Sequence, residues 1–164
     1  MAKVRGSWAV VSSPLGAFGI VGDDDAVTEV LLPGSVLSFP APAVPPEPVA
    51  MAAAQLEEYL AGRRTSFDVP LRSSGTDFQE SVWKAILDIG YGQIESYGWV
   101  ADRIDRPKAA RPVGQALGAN PIPIFRPCHR VVAAEGLGGY GGDAGLKRAL
   151  LAIEGVTDPR SMAH

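Results

Sequence analysis

The stretch Ser96-Tyr97-Gly98-Trp99-Val100-Ala101-Asp102-Arg103-Ile104-Asp105-Arg106-Pro107-Lys108-Ala109-Ala110-Arg111-Pro112-Val113-Gly114-Gln115-Ala116-Leu117-Gly118-Ala119-Asn120-Pro121 decides how the second half of this chain folds. Ser96 can cap a short helix reaching Ile104, because its side-chain oxygen can accept one of the first-turn N–H groups that lack an intrahelical partner. Asp105-Arg106-Pro107 has turn chemistry. A second helix follows over residues 110–119, with Pro112 near its first turn, where the missing N–H is tolerated, and a stop at Asn120-Pro121. Small Ala and Gly residues cover much of this helix, and Lys108 and Arg111 lead it. Two short helices across a tight turn fit a helix-turn-helix, and the pattern fits an ordinary helical hairpin equally.

Working outward, Thr76 or Asp77 can cap a helix, with Gln79 and Glu80 three residues on. Phe78, Val82 and Ile86, together with Trp83 and Leu87, form its apolar stripe up to Gly90. A final helix over residues 146–154 places Leu146, Leu150 and Ile153 inward and Lys147 and Arg148 outward. The N-terminal third alternates as strands do, over residues 8–12, 17–21 and 27–32, with turns at Ser13-Pro14-Leu15-Gly16 and Asp23-Asp24-Asp25. Five prolines among residues 40–48 predict an extended surface loop. A helix over 51–60, with Leu56, Tyr59 and Leu60 on one side and Gly62 as its stop, would cover one face of the sheet, and 67–71 reads as a short strand. Arg72-Ser73-Ser74-Gly75 is the candidate linker, dividing the chain into an α/β part, 1–72, and a mainly helical part, 73–164.

The composition is that of an ordinary globular protein: 164 residues, 46% hydrophobic, 20% charged, net charge −3. No apolar run approaches the ~20 residues of a membrane span. The N-terminus leads into a Trp-bearing strand rather than a signal-peptide core, so a cytoplasmic protein with no membrane association is expected. One cysteine, Cys128, rules out an internal disulfide and a thiolate zinc cluster. With only His129 and His164 as histidines, no protein-bound metal is expected. The net negative charge lies within residues 1–72, and residues 73–164 are balanced. Any contact with nucleic acid must therefore rest on a local patch.

Chemistry concentrates in Asn120-Pro121-Ile122-Pro123-Ile124-Phe125-Arg126-Pro127-Cys128-His129-Arg130-Val131. A cysteine beside a histidine and flanked by Arg126 and Arg130 sits where a thiolate is electrostatically favoured, as a sulfur nucleophile requires. An inert buried thiol fits the same composition. Neighbouring side chains point apart in a strand, so only a turn or helical start at Cys128 lets His129 work with it. Residues 136–142 hold five glycines around Leu137 and Tyr140, a candidate binding lid or a hairpin loop. They match neither a phosphate loop nor a dinucleotide fingerprint, and no cofactor is expected. Glu154 is either a solvated helix-end carboxylate or a buried partner for His129.

Pro127-Cys128-His129-Arg130-Val131 resembles the signature of the O6-alkylguanine-DNA alkyltransferases, the methylated-DNA–protein-cysteine S-methyltransferases. The likeness runs along almost the whole chain. It takes in Ser13-Pro14-Leu15-Gly16, Asp77-Phe78-Gln79, Val82-Trp83, Ser96-Tyr97-Gly98, Pro107-Lys108-Ala109-Ala110-Arg111, Asn120-Pro121, Gly139-Tyr140-Gly141-Gly142 and residues 147–154. It implies a ribonuclease-H-like α/β N-terminal domain and a mainly α C-terminal domain with a helix-turn-helix. The implied partner is double-stranded DNA containing O6-alkylguanine, bound by a monomer, with cooperative assembly on DNA and O4-alkylthymine left open. The implied reaction is direct-reversal repair by a single, irreversible alkyl transfer to cysteine after base flipping.

Carried over by residue, Cys128 resembles the alkyl acceptor, and His129 resembles the base that acts on it through a water. Glu154 resembles the carboxylate that orients His129. Asn120 matches the hinge between recognition helix and active-site turn, and Tyr97 the tyrosine near the flipped nucleotide. Arg111 matches the intercalating arginine. Ala109, Ala110, Gly114, Gln115 and Gly118 would meet DNA, and Pro123, Val131, Tyr140 and Gly141 would wall the guanine pocket. Two residues depart from the family: Arg126, where an aliphatic residue is usual and where pairing with an acid or a phosphate is expected, and Pro112, which requires Arg111 to lie in the first turn. The alternative readings are a non-catalytic damage sensor or helix-turn-helix regulator on the same scaffold, and a thiol hydrolase.

Overall fold

A computed structural model describes residues 7–35, 44–133 and 144–157. The chain divides into two compact units, Met1–Ser73 and Ser74–His164. In the first, β1 (Ser7–Ser13), β2 (Gly16–Gly22) and β3 (Val27–Leu31) form an antiparallel sheet in sequence order. The first turn closes through Ser13, whose Oγ accepts from Leu15 N at 3.1 Å. Gly16 then takes φ 115°, a conformation that suits glycine. The second turn is an Asx turn in which Asp23 Oδ1 accepts from Asp25 N and Ala26 N. Helix α1 (Glu47–Leu60) packs on the sheet, burying Val49, Ala52, Leu56 and Tyr59 against Phe18, Ile20 and Val27.

Two N-terminal expectations are corrected. Helix α1 begins at Glu47, inside the proline-rich segment, with Pro48 in its first turn; there the N–H groups have no intrahelical acceptor, so proline costs no hydrogen bond. Residues 67–71 form no strand. A single parallel bridge joins Val27 to Leu71, with Val27 N donating to Pro70 O and Arg72 N to Val27 O, both at 2.9 Å. Pro70 has no N–H with which to extend the ladder.

In the second unit, α2 (Asp77–Ala85) opens with a capping box between Thr76 and Gln79. It tightens into a 3-10 turn over Ile86–Asp88. That change of period turns Leu87 off the apolar stripe, and it is 52% exposed rather than buried. Strand β4 (Glu95–Ser96) leads directly into α3 (Tyr97–Arg103), where Ser96 Oγ accepts from Trp99 N at 3.0 Å. Helix α4 (Ala110–Gly118) follows a six-residue connection and buries Val113, Ala116 and Leu117. Trp83 Nε1 donates to Ala116 O at 2.8 Å, fastening α4 to α2 inside the core. Arg111 and Pro112 both lie in the first turn of α4, so Pro112 interrupts no helical hydrogen bond.

Strand β5 (Val131–Val132) pairs in parallel with β4, Glu95 opposite Val131 and Ser96 opposite Val132. Helix α5 (Ala144–Ile153) closes the unit, and Leu151 joins Ile94, Val132 and Val156 in a buried cluster. Within α5, Lys147 is fully buried, not outward, while Arg148 is exposed. Ile153 is only half-buried. The stripe that faces inward runs Lys147, Leu150, Leu151, Glu154, the i, i+3, i+4, i+7 spacing of one helical face.

Candidate active site

Residues 120–127 hold no regular structure, and their shape comes from local hydrogen bonds. Asn120 Oδ1 accepts from Ile122 N at 3.0 Å, and its Nδ2 donates to Arg126 O at 3.1 Å, so one side chain spans the base of the loop. Arg126 N closes the loop on Ile122 O at 3.0 Å. At the loop's far end Ile124 is held at φ 74°, a conformation that a β-branched residue adopts only when its surroundings impose it. Arg126 O also accepts from Cys128 N at 2.7 Å. Asn120 and Cys128 are thus tied to one carbonyl.

Cys128, His129 and Arg130 form a 3-10 turn, the arrangement that keeps neighbouring side chains from pointing to opposite faces. All three are buried. His129 Nε2 lies 2.7 Å from Glu154 Oε2. Glu154 also accepts from Arg130 Nε at 2.9 Å, from Arg130 Nη2 at 3.1 Å and from Gly92 N at 3.0 Å. Arg130 Nη1 donates to Ile89 O at 2.6 Å, and its guanidinium lies over the Tyr91 ring. A carboxylate gripped by a guanidinium is ionised and can only accept, so Nε2 of His129 carries the hydrogen and Nδ1 is the basic nitrogen.

Burial holds the His129 imidazole below its ordinary pKa of 6.5; the Glu154 hydrogen bond and charge oppose that fall, and the Arg130 and Lys147 charges reinforce it. Below that value the unfolded chain binds a proton that the folded chain refuses, so stability must fall as the solution is acidified. For this one group the slope cannot exceed about 1.4 kcal/mol per pH unit, the limit for one whole proton. Denaturant midpoints measured from neutral pH down to about pH 5 check it, because the slope should be absent from His129→Gln.

The other residues singled out in the sequence fall into three places. On α4, Ala110, Arg111, Gln115 and Gly118 are exposed and Gly114 half-exposed, with Ala109 just before the helix. Tyr97 reaches this face, since a Cβ on Gly114 would lie 3.7 Å from its ring. Pro123 and Val131 are buried on either side of the Cys128 turn. Tyr140 and Gly141, with the rest of the glycine-rich segment, lie outside the described residues.

Arg126 is buried, with its guanidinium 5.2 Å from the centre of the Trp83 ring and within the field of the Glu80 carboxylate. Its departure from an aliphatic residue is accommodated by cation–π stacking on Trp83 inside the domain. Reading the sequence missed Arg130 as a partner of Glu154, and it missed Lys147, whose Nζ donates to Val131 O at 2.6 Å. The spacing of Lys147 from Leu150, Leu151 and Glu154 was the available signal. Among the described residues no three His, Cys, Asp or Glu side chains come together as metal ligands would, and no helix is long and apolar enough to cross a membrane.

Comparison with known proteins places this geometry. Residues 7–73 match the ribonuclease-like domain of 6-O-methylguanine DNA methyltransferase, and residues 77–156 match its DNA-binding domain. The methylated-DNA–protein-cysteine methyltransferase of Mycobacterium tuberculosis is 44% identical over 158 residues, 94% of this chain and 96% of that one. The protein of the same name from Methanosarcina acetivorans is 41% identical over 152 residues, 90% and 97% of the two chains. The crystal structure of the Mycobacterium tuberculosis O6-methylguanine methyltransferase superposes with a TM-score of 0.80 at 42% identity, covering 96% of this chain and 94% of that one. The same organism's protein in complex with DNA gives 0.77 at 44% identity, covering 95% and 94%. Two domains matched in order, with the Cys128 turn in the second, mean that this chain belongs to the methylated-DNA–protein-cysteine methyltransferase family.

Proposed function

We propose that this chain repairs DNA by direct reversal, taking the alkyl group from O6-alkylguanine in a duplex onto Cys128. The observation that carries the reading is the buried Cys128-His129-Arg130 turn, with His129 2.7 Å from a Glu154 already fixed by Arg130. In that arrangement Nδ1 of His129 can draw the thiol proton through a water, and Glu154 orients the ring. The sulfur attacks the methyl carbon, the carbon–O6 bond breaks, and its electron pair leaves on guanine, which then takes up a proton. The Tyr97 hydroxyl is the donor suited to meet the charge on the leaving base. The product is a thioether with no route back to a thiol, so one chain acts once.

The reacting carbon can reach a buried sulfur only if the nucleotide leaves the stack. The exposed face of α4 suits a groove-binding role: Gly114 and Gly118 leave room for a sugar–phosphate backbone, and Arg111 projects from the first turn. We assign Arg111 to the gap left by the flipped nucleotide. Arg111→Ala is expected to slow transfer about 10- to 100-fold, the rate equivalent of the few kcal/mol needed to unstack one base. Normal single-turnover rates for that variant on duplex substrate would refute the assignment.

The test of the function as a whole is incubation with a duplex carrying O6-methylguanine, followed by peptide mass measurement. One methyl group on Cys128 supports repair. Tight binding with unmodified Cys128 indicates a damage sensor, and neither result leaves a thiol hydrolase.

A further inference from the structure

The Arg126 side chain enters none of the steps above, yet it is buried just ahead of the Cys128 turn. Its guanidinium lies 5.2 Å from the centre of the Trp83 ring. That ring is held from two further sides. Trp83 Nε1 donates at 2.8 Å to Ala116 O in the last turn of α4, where the helix leaves its carbonyls open to outside donors. The backbone of Gly75 closes on the six-membered ring, since a Cβ at Gly75 would come within 2.5 Å of Cζ3 and 2.6 Å of Cη2. Gly75 is itself fastened, its N–H donating to Glu80 Oε2 at 2.8 Å.

The backbone of Arg126 is tied to the acceptor turn instead. Its carbonyl accepts from Asn120 Nδ2 at 3.1 Å and from Cys128 N at 2.7 Å. A continuous run of contacts therefore leads from α4, through one indole and one guanidinium, to the amide of Cys128. The chain between α4 and the turn cannot set that distance by regular structure, because residues 120–127 have none. An aliphatic side chain at 126 would fill the same space without a preferred seat on the ring. A guanidinium has one, because the indole face carries the negative part of the ring quadrupole.

We propose that Arg126 is a positioning residue, its guanidinium seated on Trp83 so that the Cys128 turn keeps a set distance from α4. This rests on the reading of α4 as the face that meets DNA and of Cys128 as the alkyl acceptor. Asn120 closes the loop on itself, and Arg126 fastens the closed loop to the helices. A base delivered from a duplex is presented by α4, so the sulfur must stand where that helix delivers it. A free base is not presented by α4 and needs only the sulfur and its pocket.

Single-turnover transfer is measured for the parent, Arg126→Leu, Arg126→Lys, Trp83→Phe and the double variant Arg126→Leu/Trp83→Phe, with methylated duplex at rising concentration and with O6-methylguanine as the free base. Arg126→Leu is expected to lower the saturated duplex rate about 10- to 100-fold, the cost of a displacement of roughly 1 Å, while the half-saturating concentration moves less than about threefold and the free-base rate falls far less than the duplex rate. Arg126→Lys keeps a cation on the ring and should recover part of the duplex rate. Trp83→Phe keeps an aromatic face but loses the bond to Ala116 O. It should show the same split, and the double variant should be no slower than the slower single one, because both changes break one connection. Equal losses on duplex and free base, an unchanged duplex rate in Arg126→Leu, or losses that multiply in the double variant would each overturn the proposal. If Arg126→Leu fails to fold, Arg126→Lys and Trp83→Phe carry the same comparison. Amide hydrogen exchange tests the placement without any chemistry: the Cys128 N–H should exchange faster in the variants while Leu150 and Leu151 in α5 keep their protection, and acceleration throughout, or none, overturns it. A parent that takes no methyl group from either substrate would sink the repair reading and leave the exchange result to decide the placement alone.

Discussion

A Cys128→Ser protein is expected to bind O6-methylguanine duplex about as tightly as the parent and to accept no methyl group at all. The hydroxyl takes nearly the place of the thiol but does not ionise near neutral pH, and an un-ionised oxygen is a poor nucleophile toward a methyl carbon. No other thiol exists in the chain to substitute for it. The surfaces assigned to DNA, the exposed face of α4 and Tyr97, are separate from the substituted atom and stay intact. Intact-mass measurement after prolonged incubation checks the chemistry, and a gel-shift titration at fixed salt checks the binding. A Ser variant that still gained a methyl group would move the acceptor elsewhere and dismantle the proposed mechanism.

The second large effect is expected on stability. Glu154 lies at the centre of the buried polar cluster, bonded to His129, Arg130 and the Gly92 N–H. Glu154→Ala leaves the Arg130 guanidinium buried with its carboxylate gone, and breaking a buried pair from one side typically costs about 3–5 kcal/mol. That is a large share of the roughly 5–15 kcal/mol by which a domain is stable. Urea denaturation should show it as a lower midpoint at unchanged slope. A double variant that also replaces Arg130 with Met should recover part of the loss, because it removes the stranded charge instead of restoring the bond. A Glu154→Ala protein within about 1 kcal/mol of the parent would show that water enters the site, contrary to its burial.

The N-terminal sheet and helices α2 to α4 were legible because periodicity and caps agree there: strand alternation around Gly16, the Thr76 capping box, the Ser96 cap. What was illegible was backbone shape held by side chains. Residues 120–127 carry three prolines and no period, and their course depends on Asn120 bonding two different backbone groups. The start of α1 was obscured by prolines that are harmless only in a first turn. Lys147 was misplaced because a charge on a helix defaults to the solvent side, a rule that fails where the facing layer is itself charged. For Cys128, His129 and Glu154 the residue types alone allowed an inert reading as readily as a reactive one. The family likeness proposed their roles, and the 3-10 turn with its buried carboxylate shows how such roles can be filled.

Ser96 has two tasks at once: its side chain caps α3 and its backbone lies opposite Val132, just beyond the Cys128 turn. The two-residue pairing of β4 with β5 therefore works as a ruler, setting the offset between the start of the helix that carries Tyr97 and the turn that carries the sulfur. One residue inserted between Ser96 and Tyr97 would leave Cys128 where it is but swing Tyr97 by about 100° around the helix axis. The part proposed to read DNA and the part proposed to react with it are kept in calibration by a strand pair only two residues long.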